Sequence, residues 1–154
     1  MIVAVTDVPS LPPRGTDDDS DWGVDLDPRS DARERAMNVL YEADIRGIAP
    51  TEVTAAIVVP FDELTRALID GTTAELTKID ALLSDASHSW PLHRMPTVDR
   101  AILRMATYEL LDRSDVPVAV VIDEAVTLAK RFSTDNSGSF VNGVLSAVAS
   151  RIRG

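Results

Sequence analysis

The chain has 154 residues, the size of one domain, and 45% of them are hydrophobic, enough for a core of mostly Ala, Val and Leu because only 5% are aromatic. It has no cysteine, which excludes disulfides, thiolate chemistry and cysteine-based zinc sites and fits a reducing compartment. The net charge of −10 is uneven: residues 1–31 hold eight Asp against two Arg, whereas residues 32–154 hold 17 acidic and 13 basic groups.

Much of the acidity thus sits in an N-terminal segment, residues 1–28. Within it TDDDSDWGVDLDP (16–28) is polar, self-repelling and punctuated by Gly and Pro, and is expected to be disordered. It reads as a solubilising tail or, more sharply, as an acidic mimic of nucleic acid that competes for a basic surface. Residues 29–154 are expected to form an all-helical domain. MIVAV at the start is too short for a signal sequence, and no apolar run approaches the roughly 20 residues a spanning helix needs. These features suit a soluble, cytoplasmic protein.

The first helical pattern begins near Ser30 or Asp31 in RSDARERAMNVLYEADIRG (29–47). Asp31 with Glu34 has the form of a capping box. Ala32, Ala36, Leu40 and Ala43 make an apolar line, and Gly47 is a natural stop. PTEVTAAIVV (50–59) reads two ways: Val and Ile favour a strand, while Pro50 before Thr51 suits a helical turn. FDELTRALIDGTTAELTKIDALLSDAS (61–87) is one long helical pattern through Leu64, Leu68, Leu76, Ile79 and Leu83, weakened at Gly71. SWPLHRMPT (89–97) is a two-proline connection, and Pro96 suits the first turn of the next helix. VDRAILRMATYELLDR (98–113) carries adjacent stripes, Val98, Ile102 and Met105 beside Leu103, Ala106 and Leu110. Such a helix should be central, packed on several neighbours. After SDVP, the residues Val118, Ile122, Ala125, Leu128 or Ala129, and Phe132 repeat at helical steps despite the strand-like VAVVI.

FVNGVL (140–145) sets Asn-Gly between apolar pairs, the strongest short-range hairpin signal. Yet Phe140, Val144, Leu145, Val148 and Ile152 recur at helical spacing, and STDNSGS (133–139) before them ends in capping residues. Asn142-Gly143 is therefore expected inside a helix. A mid-helix glycine costs about 1 kcal/mol relative to alanine, and close approach of another helix is the expected compensation. The whole reads as an all-α bundle of five to seven helices with short loops, without strands or internal repeats.

Groups for catalysis are scarce. His88 and His93 lie in a proline-containing connection and do not share a helix face, so they read as exposed loop residues rather than metal ligands. There is no glycine-rich phosphate loop and no Ser/His/Asp order. Glu42 with Arg46 is an ordinary i,i+4 pair. Asp123 and Glu124 read as dipole-favoured or surface acids. Glu109 is the odd carboxylate, lying on the apolar line of Val98, Ile102 and Met105, and reads as a hydrogen-bonded structural group. An enzyme is not expected.

Three stretches together carry a resemblance: ARERAMNVLYEADIRG (32–47), VDRAILRMATYELL (98–111) and VPVAVVIDEAVTLAKRFSTDNSGSFVNGVL (116–145). They resemble the NusB family of transcription antitermination factors. The last stretch, with IDEAV, LAK and FVNGVL in order, is the most specific, and GTTAELTKIDALL and Trp90 match too. The resemblance covers about residues 29–152. It implies an all-helical NusB-like bundle of about seven helices in two packed subdomains. It also implies a protein that binds single-stranded boxA RNA in ribosomal RNA leaders, best together with the small-subunit ribosomal protein NusE. That complex joins RNA polymerase and suppresses termination, with no catalysis, cofactor, metal or membrane. Some members form homodimers that cover the RNA surface, so a homodimer is also among the implied states.

Carried over by position, the family's arginine-rich start of helix 1 falls on Arg29, Ser30, Asp31, Ala32 and Arg33. The resemblance gives Arg29 and Arg33 an RNA-binding role, gripping adjacent phosphates from one helix face. Ser30 and Asp31 stand where members usually carry arginines. They remove phosphate contacts, and Asp31 adds a repulsive charge unless it serves only as a helix cap. The family's second RNA surface falls on Asp135, Asn136, Ser137 and Phe140, with Asn136 a hydrogen-bond donor and Phe140 either a stacking platform or, as its periodicity favours, a core residue. The partner surface for NusE falls on Tyr41 and Asp99.

Two further readings stand beside this one. A diverged NusB-like module could keep NusE binding or homodimerise while binding RNA weakly or not at all. The same fold also serves as the RNA-binding domain of RNA cytosine methyltransferases, but a chain of 154 residues has no room for the methyltransferase part.

Overall fold

A computed structural model describes residues 27–58, 60–88 and 90–154. The expected disordered tail, residues 1–28, lies outside the described residues except for Asp27 and Pro28. Among the described residues seven α-helices follow in order: α1 (Pro28–Arg46), α2 (Pro50–Ala55), α3 (Glu63–Ala74), α4 (Leu76–Ala86), α5 (Thr97–Asp112), α6 (Val118–Phe132) and α7 (Ser137–Arg153), with a 3-10 turn at Leu92–Arg94. No strand occurs among the described residues. No helix among them is long and apolar enough to cross a membrane.

The helices form two packed groups, α1 to α3 and α4 to α7. Helix α5 runs between them and touches α1, α3, α4, α6 and α7. Its two apolar stripes explain this: Ile102, Leu103, Met105, Ala106 and Leu110 are all buried. From α1 the core takes Ala32, Ala36, Met37, Val39, Leu40 and Ala43. Gly47 ends that helix with φ +65°, and its N–H and that of Ile48 close on the Ala43 carbonyl.

The ambiguous segment 50–59 becomes helical in its first half, with Pro50 in the first turn. The pattern over 61–87 is two helices rather than one. The chain bends at Glu75 (φ −99°, ψ 13°), so that Leu68 and Ile69 face α1 and α5 while Ile79 and Leu83 face α5 and α7. Its start is fixed by Asp62, whose carboxylate accepts the Thr65 N–H at 3.3 Å. At the far end of the chain, Arg153 turns back on α5. Its Nε donates to the Leu110 carbonyl, an acceptor that the helix C-terminus leaves open, and its Nη2 to those of Glu109 and Arg113, each at 2.9 Å.

FVNGVL lies within α7, as the spacing requires. The compensation expected at Gly143 is not there: the residue is exposed, and an added Cβ would meet nothing within 4 Å. Close approach occurs instead at Gly71, where α3 crosses α5 and an added Cβ would run into the Tyr108 ring.

Candidate nucleic-acid and partner interface

Helix α1 begins earlier than its sequence suggests. Asp27 is the N-cap, accepting the Arg29 N–H at 3.0 Å, and Pro28 occupies the first turn. The Asp31/Glu34 capping box does not form. Asp31 sits inside the helix, its N–H bonded to the Asp27 carbonyl at 3.1 Å.

Arg29 is exposed, but Arg33 is not available to a phosphate. Only 3% of it is exposed, because its side chain points into the seam between α1, α5 and α6. There Nε lies 3.0 Å from one oxygen of Glu109 and Nη2 lies 2.9 Å from the other, a two-pronged ion pair. Glu124 lies 3.9 Å from Nη1. Burial by itself lowers the guanidinium pKa, but the hydrogen bond and charge of Glu109, with Glu124 and Asp27 adding to them, outweigh it and hold the group above its ordinary value. This one pair bears out the structural reading of Glu109 and corrects the phosphate grip assigned to Arg33. Ser30 is occupied as well, donating to both oxygens of Glu124 at 2.9 and 3.0 Å.

The second surface is the turn between α6 and α7. Asn136 is exposed and forms the N-cap of α7 without a side-chain cap bond, so its amide is free to donate or accept. Ser137 is only 3% exposed, and its hydroxyl donates to Asp99 Oδ2 at 3.0 Å. This corrects two assignments together: Ser137 is a buried brace rather than a contact, and Asp99, at 1% exposure, does not open onto a partner surface. Phe140 is half-buried with its ring 4.9 Å from that of Trp90, the packing role its periodicity favoured. Lys130 and Arg131, which the sequence reading did not single out, complete the turn. The Lys130 stem lies over Gly138, where an added Cβ would sit 3.2 Å from it, and Arg131 pairs with Glu34 of α1 at 2.8 Å. Their spacing from Asn136 was the only signal, and an exposed Lys-Arg pair ending a helix is as readily explained by the helix dipole.

Tyr41 lies in an open groove of about 600 Å³ beside α1, whose walls include Asn38, Ile45, Ile57 and Phe61. Ile45 is 58% and Ile57 41% exposed, a pair of large apolar side chains facing solvent. Single exposed apolar residues are ordinary, but two in one groove with a tyrosine suit a protein partner. Ile45 escaped notice because it falls off the apolar line of α1. His88 and His93 are both exposed, and among the described residues no three His, Cys, Asp or Glu side chains converge as a metal site requires.

The fold and these two surfaces define a class: an all-helical binding protein with a polar, arginine- and amide-bearing turn and a separate apolar groove. The model of the NusB family matches residues 30–150, and the chain belongs to that family. It is 51% identical over 127 residues to a protein of Saccharopolyspora erythraea named transcription antitermination protein NusB, covering 79% of this chain and 86% of that one. Among solved structures, NusB of T. maritima is 37% identical and superposes with a TM-score of 0.76 over 82% of this chain and 94% of that one. A chain in a crystal structure of the antitermination factors NusB and NusE in complex with dsRNA is 28% identical, with a TM-score of 0.71 over 80% of this chain and 96% of that one.

Proposed function

We propose that this protein is a transcription antitermination factor. It binds boxA-type single-stranded RNA in ribosomal RNA leaders together with NusE, and the complex suppresses termination by RNA polymerase. The 51% identity to a protein named for this role carries the reading. NusE takes the Tyr41 groove, where Ile45 and Ile57 supply apolar contact. RNA takes the face of Arg29, Lys130 and Asn136. The role is one of binding, in the cytoplasm, with no catalytic step and no cofactor. Residues 29–154 act as the binding domain and residues 1–28 as its acidic, solubilising extension.

One observation favours a second reading, a diverged module that keeps NusE and binds RNA weakly. Arg33 and Ser30 are both committed to glutamates of the protein itself, which leaves Arg29 as the exposed cation of the carried-over stretch. Transcription by purified RNA polymerase over a boxA leader and a downstream terminator separates the two. Read-through that rises on adding this protein with NusE, and vanishes when boxA is scrambled, is expected. Unchanged termination with NusE bound would leave only the second reading.

A further inference from the structure

Asp99 opens α5, and Ser137 opens α7, 38 residues later in the chain. Between them stands a small cluster of hydroxyls. Ser137 Oγ lies 2.9 Å from Ser133 Oγ and 2.9 Å from Thr134 Oγ1, and it accepts the Thr134 N–H at 3.3 Å. Ser137 has one hydroxyl proton, and Asp99 takes it, so the Ser133 and Thr134 hydroxyls point inward as donors. The three hydroxyls of Ser133, Thr134 and Ser137 thus run to one carboxylate. The other oxygen of that carboxylate, Oδ1, is buried without a partner among the described residues. A buried carboxylate with an orphan oxygen is a poor choice for stability alone. What it does hold is the start of α7, and so the direction in which the neighbouring Asn136 projects.

We infer that Asp99 is a positioning residue for nucleic-acid binding: through Ser137 it fixes the α6–α7 turn so that Asn136 and Lys130 meet the RNA together. The inference rests on the proposed RNA face and moves Asp99 from the partner surface to the interior support of that face. Asp99 touches no ligand. Its loss lets the turn move, and the ordering then has to be supplied on binding.

The test uses Asp99→Ala, Asp99→Asn and Ser137→Ala in the full chain, with labelled boxA-type RNA and with NusE as separate ligands. Asp99→Ala and Ser137→Ala are expected to weaken RNA binding about tenfold, the loss of one charge-assisted hydrogen bond. Asp99→Asn keeps an acceptor for the Ser137 hydroxyl and is expected to recover most of the affinity. NusE affinity and the salt dependence of RNA binding should not change, because no phosphate contact is lost. Amide exchange should quicken at 133–140 in Asp99→Ala and stay as wild type elsewhere. RNA affinity unchanged in both alanine variants, or NusE affinity lost in their place, would overturn the inference. So would unchanged exchange at 133–140, a result that bears on Asp99 alone, whereas a wild type that bound no RNA would overturn the reading of the face itself.

Discussion

The two halves of α1 use their side chains in opposite ways. In the first half Ser30, Arg33 and Glu34 turn toward α5 and α6 and are bonded to Glu124, Glu109 and Arg131. In the second half Tyr41, Ile45 and Arg46 line a groove open to solvent. The first half is where the family resemblance places phosphate-gripping arginines, and the second is where it places a partner tyrosine. Of the two arginines in that stretch, Arg33 thus serves the protein's own core, while the groove beside Tyr41 stays open. In the function proposed above, RNA contact is left to Arg29 and to the α6–α7 turn, and Arg131 ties α6 back to α1.

The inward half should break first and hardest. Arg33→Ala leaves Glu109 buried without its partner and is expected to cost about 3–5 kcal/mol, read by urea denaturation. A loss below about 1 kcal/mol, the value of an exposed pair, would place Arg33 at the surface after all. Next comes the interior crossing of α3 on α5. Gly71→Ala forces a methyl group into the Tyr108 ring and should destabilise by about 1–3 kcal/mol.

The open half should respond in binding and not in stability. Ile45→Glu is expected to leave stability within about 0.5 kcal/mol and to weaken NusE binding at least about tenfold, or ~1.4 kcal/mol, by calorimetric titration. Gly143→Ala sharpens the same contrast between interior and surface. With open space around its Cβ it should raise stability by about 1 kcal/mol, the helix-propensity difference. The smallest effect concerns Asp62, the cap of α3. Hydrogen bonding from Thr65, set against a smaller effect of burial, holds its pKa below the ordinary carboxylate value. Its contribution is therefore present above the unfolded pKa and is lost as pH falls through the folded one. Asp62→Ala should lower the melting temperature at neutral pH, and the gap from wild type should close in acid.

The sequence made the helices legible because the longer ones from α3 onward are amphipathic with period 3.6, and even Asn142-Gly143 was overruled by the spacing of Val144, Leu145 and Val148. It showed Glu109 as a structural carboxylate but not its partner. Arg33 follows Arg29 by four residues, and only the docking of α1 on α5 decides that one faces solvent and the other Glu109. The same holds for Asp99 and Ser137, each reasonable as a surface residue until the two helix starts are brought together. The bend at Glu75 was hidden because Leu68, Ile79 and Leu83 keep helical register across it. The glycines were read in reverse for a related reason: periodicity says that a glycine lies in a helix, but not which helix crosses it.

The most direct measurement is a titration of labelled boxA-type RNA with this protein, alone and with NusE, at low and at physiological salt. The account predicts RNA binding that NusE tightens, and a salt dependence shallower than two α1 arginines on phosphates would give, since Arg33 faces Glu109. NusE binding that left RNA affinity at the level of a scrambled sequence would contradict it.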